Sequence, residues 1–353
     1  MPTKVFATGA TGYVGGDALH ILFQTYPDWH YTLLARDPTR LGSLTSEHPS
    51  IRVVKGDLNS LELLKSEAAT ADIVFHFASS DDVPAAQAIL DGLGSQSKTC
   101  FLIHTSGTAN LLWDDITSNS IGKKATKIYD DIEDIKSITS FPDAVPHRPV
   151  DKLVLEASTK YPNVKTAIVC PPGILGVGRG TGNKRTIQLP MFIELSRKRG
   201  KAYQVESGES AWSFVHVHDL ADVYFRLAEA AAAGGGKADW GSEAYYFAES
   251  GALQWGHIAR VVAKHLHEAG ASNTDEVDVL NAEQAAELHP LIPWSSGMNS
   301  ISRASRARKV LGWEPKVVDF SDSLKESVEY DLQAKQTRME EIAQGHFPGL
   351  AKE

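Results

Sequence analysis

Three glycines near the start of the chain constrain it more than any other feature. Gly9, Gly12 and Gly15 read G-x-x-G-x-x-G, directly after the apolar run Val5, Phe6, Ala7. Beyond them Val14, Ala18, Leu19 and Leu22 recur at helical spacing. The pattern predicts strand, turn, helix. Gly9 permits the tight turn, Gly12 lets backbone N–H groups approach a pyrophosphate, and Gly15 lets helix and strand pack closely. Phosphates sit well at the start of such a helix, whose first amides have no partner inside it. The implied ligand is a dinucleotide, cradled by Gly9, Thr11, Gly12, Tyr13, Val14 and Gly15.

Further strands are expected at 31–35, 51–55, 72–76, 100–104 and 165–169, alternating with helical stretches, including one over 147–161. Alternation of this kind predicts an α/β fold with a doubly wound parallel sheet, the Rossmann arrangement, and a smaller C-terminal substrate lobe. Residues 1–170 with 211–235 are assigned to the nucleotide-binding domain, and 171–210 with 236–353 to the substrate lobe. Helices are expected there at 189–199, 254–269 and 320–345. A chain of 353 residues has ample length for both units.

The net charge of −9 argues against a nucleic-acid or anionic-membrane surface. No apolar run approaches the roughly 18 residues needed to span a bilayer. The first strand leaves no room for a signal peptide, and Cys100 and Cys170 end or follow apolar runs, as buried free thiols do. A cytoplasmic protein is expected. His216 and His218 alternate along a predicted strand without an acidic or cysteine partner at ligand spacing, so no metal is expected.

The second strand ends on Arg36. An acidic residue there would take a ribose 2′-hydroxyl, whereas an arginine suits a 2′-phosphate, so NADP is preferred over NAD, with Asp37 beside it as the counter-argument. Asp57 either accepts from the adenine amino group, with Leu58 beside it, or caps the helix starting near Ser60. Ala78 lies where a strand end would meet the cofactor.

Thr8-Gly9-x-x-Gly12-x-x-Gly15, the Gly56-Asp57-Leu58 turn and His104-Thr-Ser-Gly107 together resemble the extended short-chain dehydrogenase/reductase family, in its epimerase, dehydratase and flavonoid-reductase-like branches. Val169-Cys-Pro-Pro-Gly-Ile-Leu-Gly176 resembles the family's segment beside the nicotinamide, which implies contacts from Pro171, Gly173 and Ile174. Trp212-Ser-Phe-Val-His-Val-His-Asp219 resembles another family segment. The resemblance implies a homodimer paired through two helices.

Hydride-transferring members carry a Ser and a Tyr-x-x-x-Lys pair. Here Lys152 matches the lysine, Arg148 stands in place of the tyrosine, and Gly107 in place of the serine, flanked by Ser106 and Thr108. A different acid is therefore required: Thr108 or Ser106 would polarise the substrate oxygen, and His147 or Arg148 would donate a proton or hold oxyanion charge. Tyr129 and Tyr203 are outside candidates for a displaced phenol. The expected function is NADP(H)-dependent reduction of a carbonyl on a small, largely apolar or aromatic molecule. The alternatives are a redox-neutral epimerase, lyase or isomerase with bound NAD(P), and a non-catalytic NADP sensor resembling the NmrA-type regulators. Trp212 stands where sugar-nucleotide members carry an arginine for the diphosphate, and Trp113, Phe141, Trp255 and Trp294 either line the same cleft or, as at least half of the tryptophans are expected to, pack in the core. Asp219 is expected to cap its helix, residues 109–146 to form a loop-rich lid, and Arg303, Arg306, Arg308 and Lys309 a solvated face.

Overall fold

Seven strands build one parallel sheet: β1 (Lys4–Thr8), β2 (His30–Ala35), β3 (Ile51–Lys55), β4 (Ile73–His76), β5 (Cys100–Thr105), β6 (Val164–Cys170) and β7 (Tyr245–Phe247). Their order is β7-β6-β5-β4-β1-β2-β3, every pairing parallel. The computed structural model describes residues 2–333. β1, β4 and β6 are covered on both faces by helices, so they read as continuous apolar runs rather than alternating ones. Strand order reverses between β1 and β4, and ligands of such sheets bind at the carboxyl ends of the strands flanking that point.

The helix Tyr13–Thr25 packs on Val217–Ala232, and Leu61–Ala68, Val83–Gly94 and Arg148–Lys160 pack in sequence with one another. Gly92 makes one of these crossings possible: a Cβ there would run into the backbone of Lys65 and, at 2.9 Å, the side chain of Ala68. A second core joins Phe192, Tyr203, Trp212, Phe214, Trp255 and Ile258 with Leu324 and Val328 of the helix Ser321–Gln333. The terminal helix expected over 320–345 is thus seen as far as Gln333; the remainder lies outside the described residues.

Two expectations are corrected by packing, and one holds. Residues 109–146 are loop-rich, as expected. They contain the helices Trp113–Ser118 and Ile135–Ile138 and the strand Tyr129–Asp130, which pairs with Ser302–Arg303. Asp219 does not cap its helix: His216 does, accepting from His218 N, while Asp219 accepts from Val317 N at 2.9 Å. Arg306 is no solvated charge; it is buried, ion-paired with Asp239 and donating to Asp131 O at 3.1 Å. Cys100 and Cys170 are buried free thiols. No helix among the described residues is long and apolar enough to cross a membrane.

Candidate functional site

The glycine turn follows β1 directly. Gly9 adopts φ 75°, the left-handed region, and a Cβ on it would come 2.8 Å from Ala78 N across the switch point. A Cβ on Gly15 would lie 2.5 Å from Gly9 O. Gly12 is the N-cap of the helix and supplies no side chain, and the first turn carries no acid. The orphan amides there have nothing to satisfy them within the helix, which suits a pyrophosphate.

A second glycine-rich segment, 176–183, lies against this turn. Tyr13 Oη donates to Leu175 O and Gly176 O, Asn183 N to Thr11 O, and Gly180 packs on the backbone of Gly16. Arg179 clamps the fully buried Asp17 from outside, with Nη2 at 2.6 Å. Pro171, Gly173 and Ile174 follow β6; Thr108 N donates to Pro171 O, and Gly173 and Ile174 pair with Phe214 and Val215. The fold thereby joins the cofactor turn to the segment leading into the second lobe.

At the adenine end, Arg36 and Asp37 are exposed. The Asp37 carboxylate accepts through Oδ1 from Thr39 N at 3.0 Å and Thr39 Oγ1 at 2.6 Å, and these bonds lower its pKa. Asp57 forms a local turn, accepting from Asn59 N at 2.9 Å and Ser60 Oγ at 3.1 Å, rather than capping the next helix. Leu58 is half-buried beside it.

The other end of the cleft is built at the start of the helix Arg148–Lys160. His147 is its N-cap, with φ 68°. Its Nδ1 lies 3.0 and 3.1 Å from the two oxygens of Asp81 and 2.8 Å from Ser80 Oγ, and its backbone N donates to Asp81 at 2.9 Å. Burial raises the pKa of Asp81, but the hydrogen bonds and charge of His147 outweigh it and leave it lowered, so the carboxylate is ionised. Arg148 is turned to the insertion: Nε donates to Phe141 O at 3.0 Å and Nη2 to Thr139 O, while Nη1 is buried without a partner among the described residues. Lys152 reaches Asp143 at 3.3 Å and remains 43% exposed.

Ser106 belongs to a buried cluster that the sequence did not disclose. Its Oγ and the Tyr245 hydroxyl both donate to Asp151 Oδ2 at 2.9 Å, and Asn110 Nδ2 donates to Tyr245 Oη at 2.7 Å. Burial pushes the Asp151 carboxyl up to about 6 against the pull of His147, Ser106, Tyr245 and Arg148. Thr108 is buried with its hydroxyl unpartnered among the described residues. Asp81, Ser80, Asp151 and Tyr245 were missed in the sequence; the one available signal was an acidic residue at 151, directly before Lys152.

Tyr129 donates to Asp114 at 2.6 Å, and Tyr203 is buried in the second core, away from this constellation. The aromatic lining shrinks as well. Trp212 is 8% exposed and donates to Met298 O, and Trp255 is fully buried, so both are core residues. Trp113, Phe141 and Trp294 are only partly buried. His216 and His218 stack edge to face, 4.5 Å apart, and among the described residues no group of three or more His, Cys, Asp or Glu could hold a metal ion.

Strand order, switch point and glycine turn define a Rossmann dinucleotide-binding protein. Residues 5–240 match the NAD dependent epimerase/dehydratase family, and the chain belongs to that family, within the extended short-chain dehydrogenase/reductase superfamily. It is similar to Oxidase ucsJ of Acremonium sp, with 34% identity over 325 residues, 89% of this chain and 93% of that one. An uncharacterized protein of Saccharomyces cerevisiae is 25% identical over 334 residues, 91% and 98% of the two chains. The fold matches DesIV, a dTDP-glucose 4,6-dehydratase from Streptomyces venezuelae with NAD and TYD bound, at TM-score 0.67 and 17% identity over 94% and 97% of the chains. It also matches UDP-glucuronic acid 4-epimerase from Bacillus cereus in complex with NAD, at TM-score 0.65 and 15% identity over 94% and 99%.

Proposed function

We propose that this protein is an NADP(H)-dependent oxidoreductase that reduces a carbonyl group on a small, largely apolar molecule. The observation that carries this reading is the imidazole of His147, placed by Asp81 beside Gly107, where the family resemblance puts a serine. The site lacks the usual phenol and has gained a residue of better acid–base range. Gly9, Thr11, Gly12, Tyr13, Val14 and Gly15 would hold the pyrophosphate, Arg36 the adenosine phosphate, and Lys152 the nicotinamide ribose. When bound, the reduced cofactor supplies a hydride to the carbonyl carbon. His147 supplies the proton to the oxygen.

Two further observations support the assignment. Arg36 is exposed at the end of β2, where a cation suits a 2′-phosphate, and the Asp37 carboxylate beside it is engaged by Thr39. At the position where sugar-nucleotide members carry an arginine stands Trp212, buried and bound to Met298 O, which offers a diphosphate no cation. The similarity to a protein named an oxidase fits the same chemistry run in reverse, since hydride transfer at one site proceeds in both directions.

Titration with NADPH and NADH by nicotinamide fluorescence, then absorbance with a panel of aldehydes and ketones, tests the proposal. NADPH is expected to bind more tightly and to be consumed. Tight NADPH binding without consumption across the panel would overturn reduction in favour of a redox-neutral reaction or a sensor. No binding of either nucleotide would overturn the whole reading.

A further inference from the structure

Gly107 has a backbone that does not ask for glycine. Its φ of −167° and ψ of 145° are extended values open to any residue. The reason for glycine lies across the cleft. A Cβ on residue 107 would stand 3.1 Å from His147 Nε2 and 3.4 Å from Cδ2, tighter than ordinary contact, so the ring would have to give by a few tenths of an ångström. Glycine at 107 leaves the imidazole this place without a shift.

His147 in turn holds a left-handed backbone, φ 68°, which costs a non-glycine residue about 1 kcal/mol or more. Asp81 offsets that cost twice, by accepting from the backbone N and by lying against Nδ1. An ionised carboxylate only accepts, so the proton is on Nδ1, and Nε2 is directed at Gly107 without a hydrogen-bond partner among the described residues. The sequence has exchanged a serine and a tyrosine for a vacated position and an aspartate–histidine pair.

We propose that Asp81 is the positioning residue of the site, fixing the tautomer and aim of His147, and that Gly107 is the seat into which this replacement acid is built. The inference rests on the reduction proposed above and names how its proton is delivered. Protonated His147 gives its Nε2 proton to the carbonyl oxygen as the carbonyl carbon gains the hydride. An alcohol and a neutral imidazole, protonated on Nδ1, are left, and water restores the Nε2 proton. The other titratable groups around the ring are Arg148, Asp151 one turn along the same helix, and His104 of β5. Burial first, then the charges of His76 and His147, holds His104 well below the usual histidine range, so it stays neutral beside the pair.

The test combines a readout that needs no turnover with one that does. In nitrogen-15 NMR spectra of the full chain, His147 should show a slowly exchanging Nδ1–H, lost in Asp81→Asn. In that variant kcat should fall about tenfold or more, with KM little changed. Gly107→Ser, whose backbone tolerates any residue, should melt near the wild type yet lose the same Nδ1–H signal and about tenfold or more in kcat. An Nδ1–H signal unchanged in Asp81→Asn would overturn the positioning role whatever the turnover. A Gly107→Ser protein with wild-type signal and rate would overturn the seat. Failure of every carbonyl would instead overturn the reduction, and an Nδ1–H signal that depends on Asp81 would still support the pair.

Discussion

The two ends of the cleft were made by different means. At the cofactor turn the glycines are forced by the backbone itself: Gly9 by its positive φ and the approach of Ala78, Gly15 by the carbonyl of Gly9. At the His147 end side chains decide. Gly107 is extended, His147 is held in a left-handed conformation by a partner 66 residues away, and Arg148 ties down Thr139 and Phe141. A dinucleotide presents the same pyrophosphate to every member of the family, so its turn is fixed. In the proposed reaction the proton donor need only deliver its proton to one point. The first end is expected to fail through binding and stability, the second through rate.

His147→Gln should break the comparison most sharply. It should lower kcat by about 100- to 10,000-fold, the range for loss of a general acid, and leave NADPH affinity within about threefold of wild type. Steady-state kinetics beside a fluorescence titration separate the two effects. Equal losses in both would mean that the His147 end also builds the cofactor site.

Arg179→Ala acts on the opposite end. Asp17 is fully buried and would lose its guanidinium clamp, which costs about 3 kcal/mol. Denaturant melts should show that loss, and Asp17→Asn in the same background should recover part of it.

Asp151 sharpens the contrast through pH. Its folded pKa is raised to about 6 by burial, so the fold holds its proton more tightly than the unfolded chain does. The contribution is fully present below the unfolded value and is lost as pH rises through about 6, a fall of about 2–3 kcal/mol. Asp151→Asn should flatten that part of the stability curve in urea melts between about pH 4 and 7. A wild-type curve already flat over that range would contradict the assignment.

The smallest effect is expected at Arg36. Arg36→Ala should reduce the preference for NADPH over NADH by about tenfold, worth about 1.4 kcal/mol, with little change toward NADH.

The sequence disclosed what is written locally. Val5 to Leu22 carry strand, turn and helix within one short stretch, and the alternation of buried strands with helices prescribed the sheet, because both are set by neighbours in the chain. It placed Lys152 at its motif position and named His147 among the replacements. What it concealed depends on long-range approach. Nothing near His147 announces Asp81, and nothing near Ser106 announces Tyr245. Trp212 and Trp255 read equally well as cleft or core until the second lobe packs around them. Arg306 resembled a surface charge because Asp239, its ion partner, lies far along the chain. A glycine at the serine position together with a histidine just before the helix was the readable sign behind the proposed replacement acid.

The most direct test of the account follows the hydrogen itself. NADPH deuterated on its transferable hydrogen would be incubated with wild type and His147→Gln and a panel of small apolar ketones and aldehydes, and the products weighed by mass spectrometry. The account predicts one deuterium on the new carbinol carbon with the wild type and a much slower appearance of the same product with the variant. Nucleotide that binds yet keeps its deuterium through the whole panel would contradict net reduction at this site.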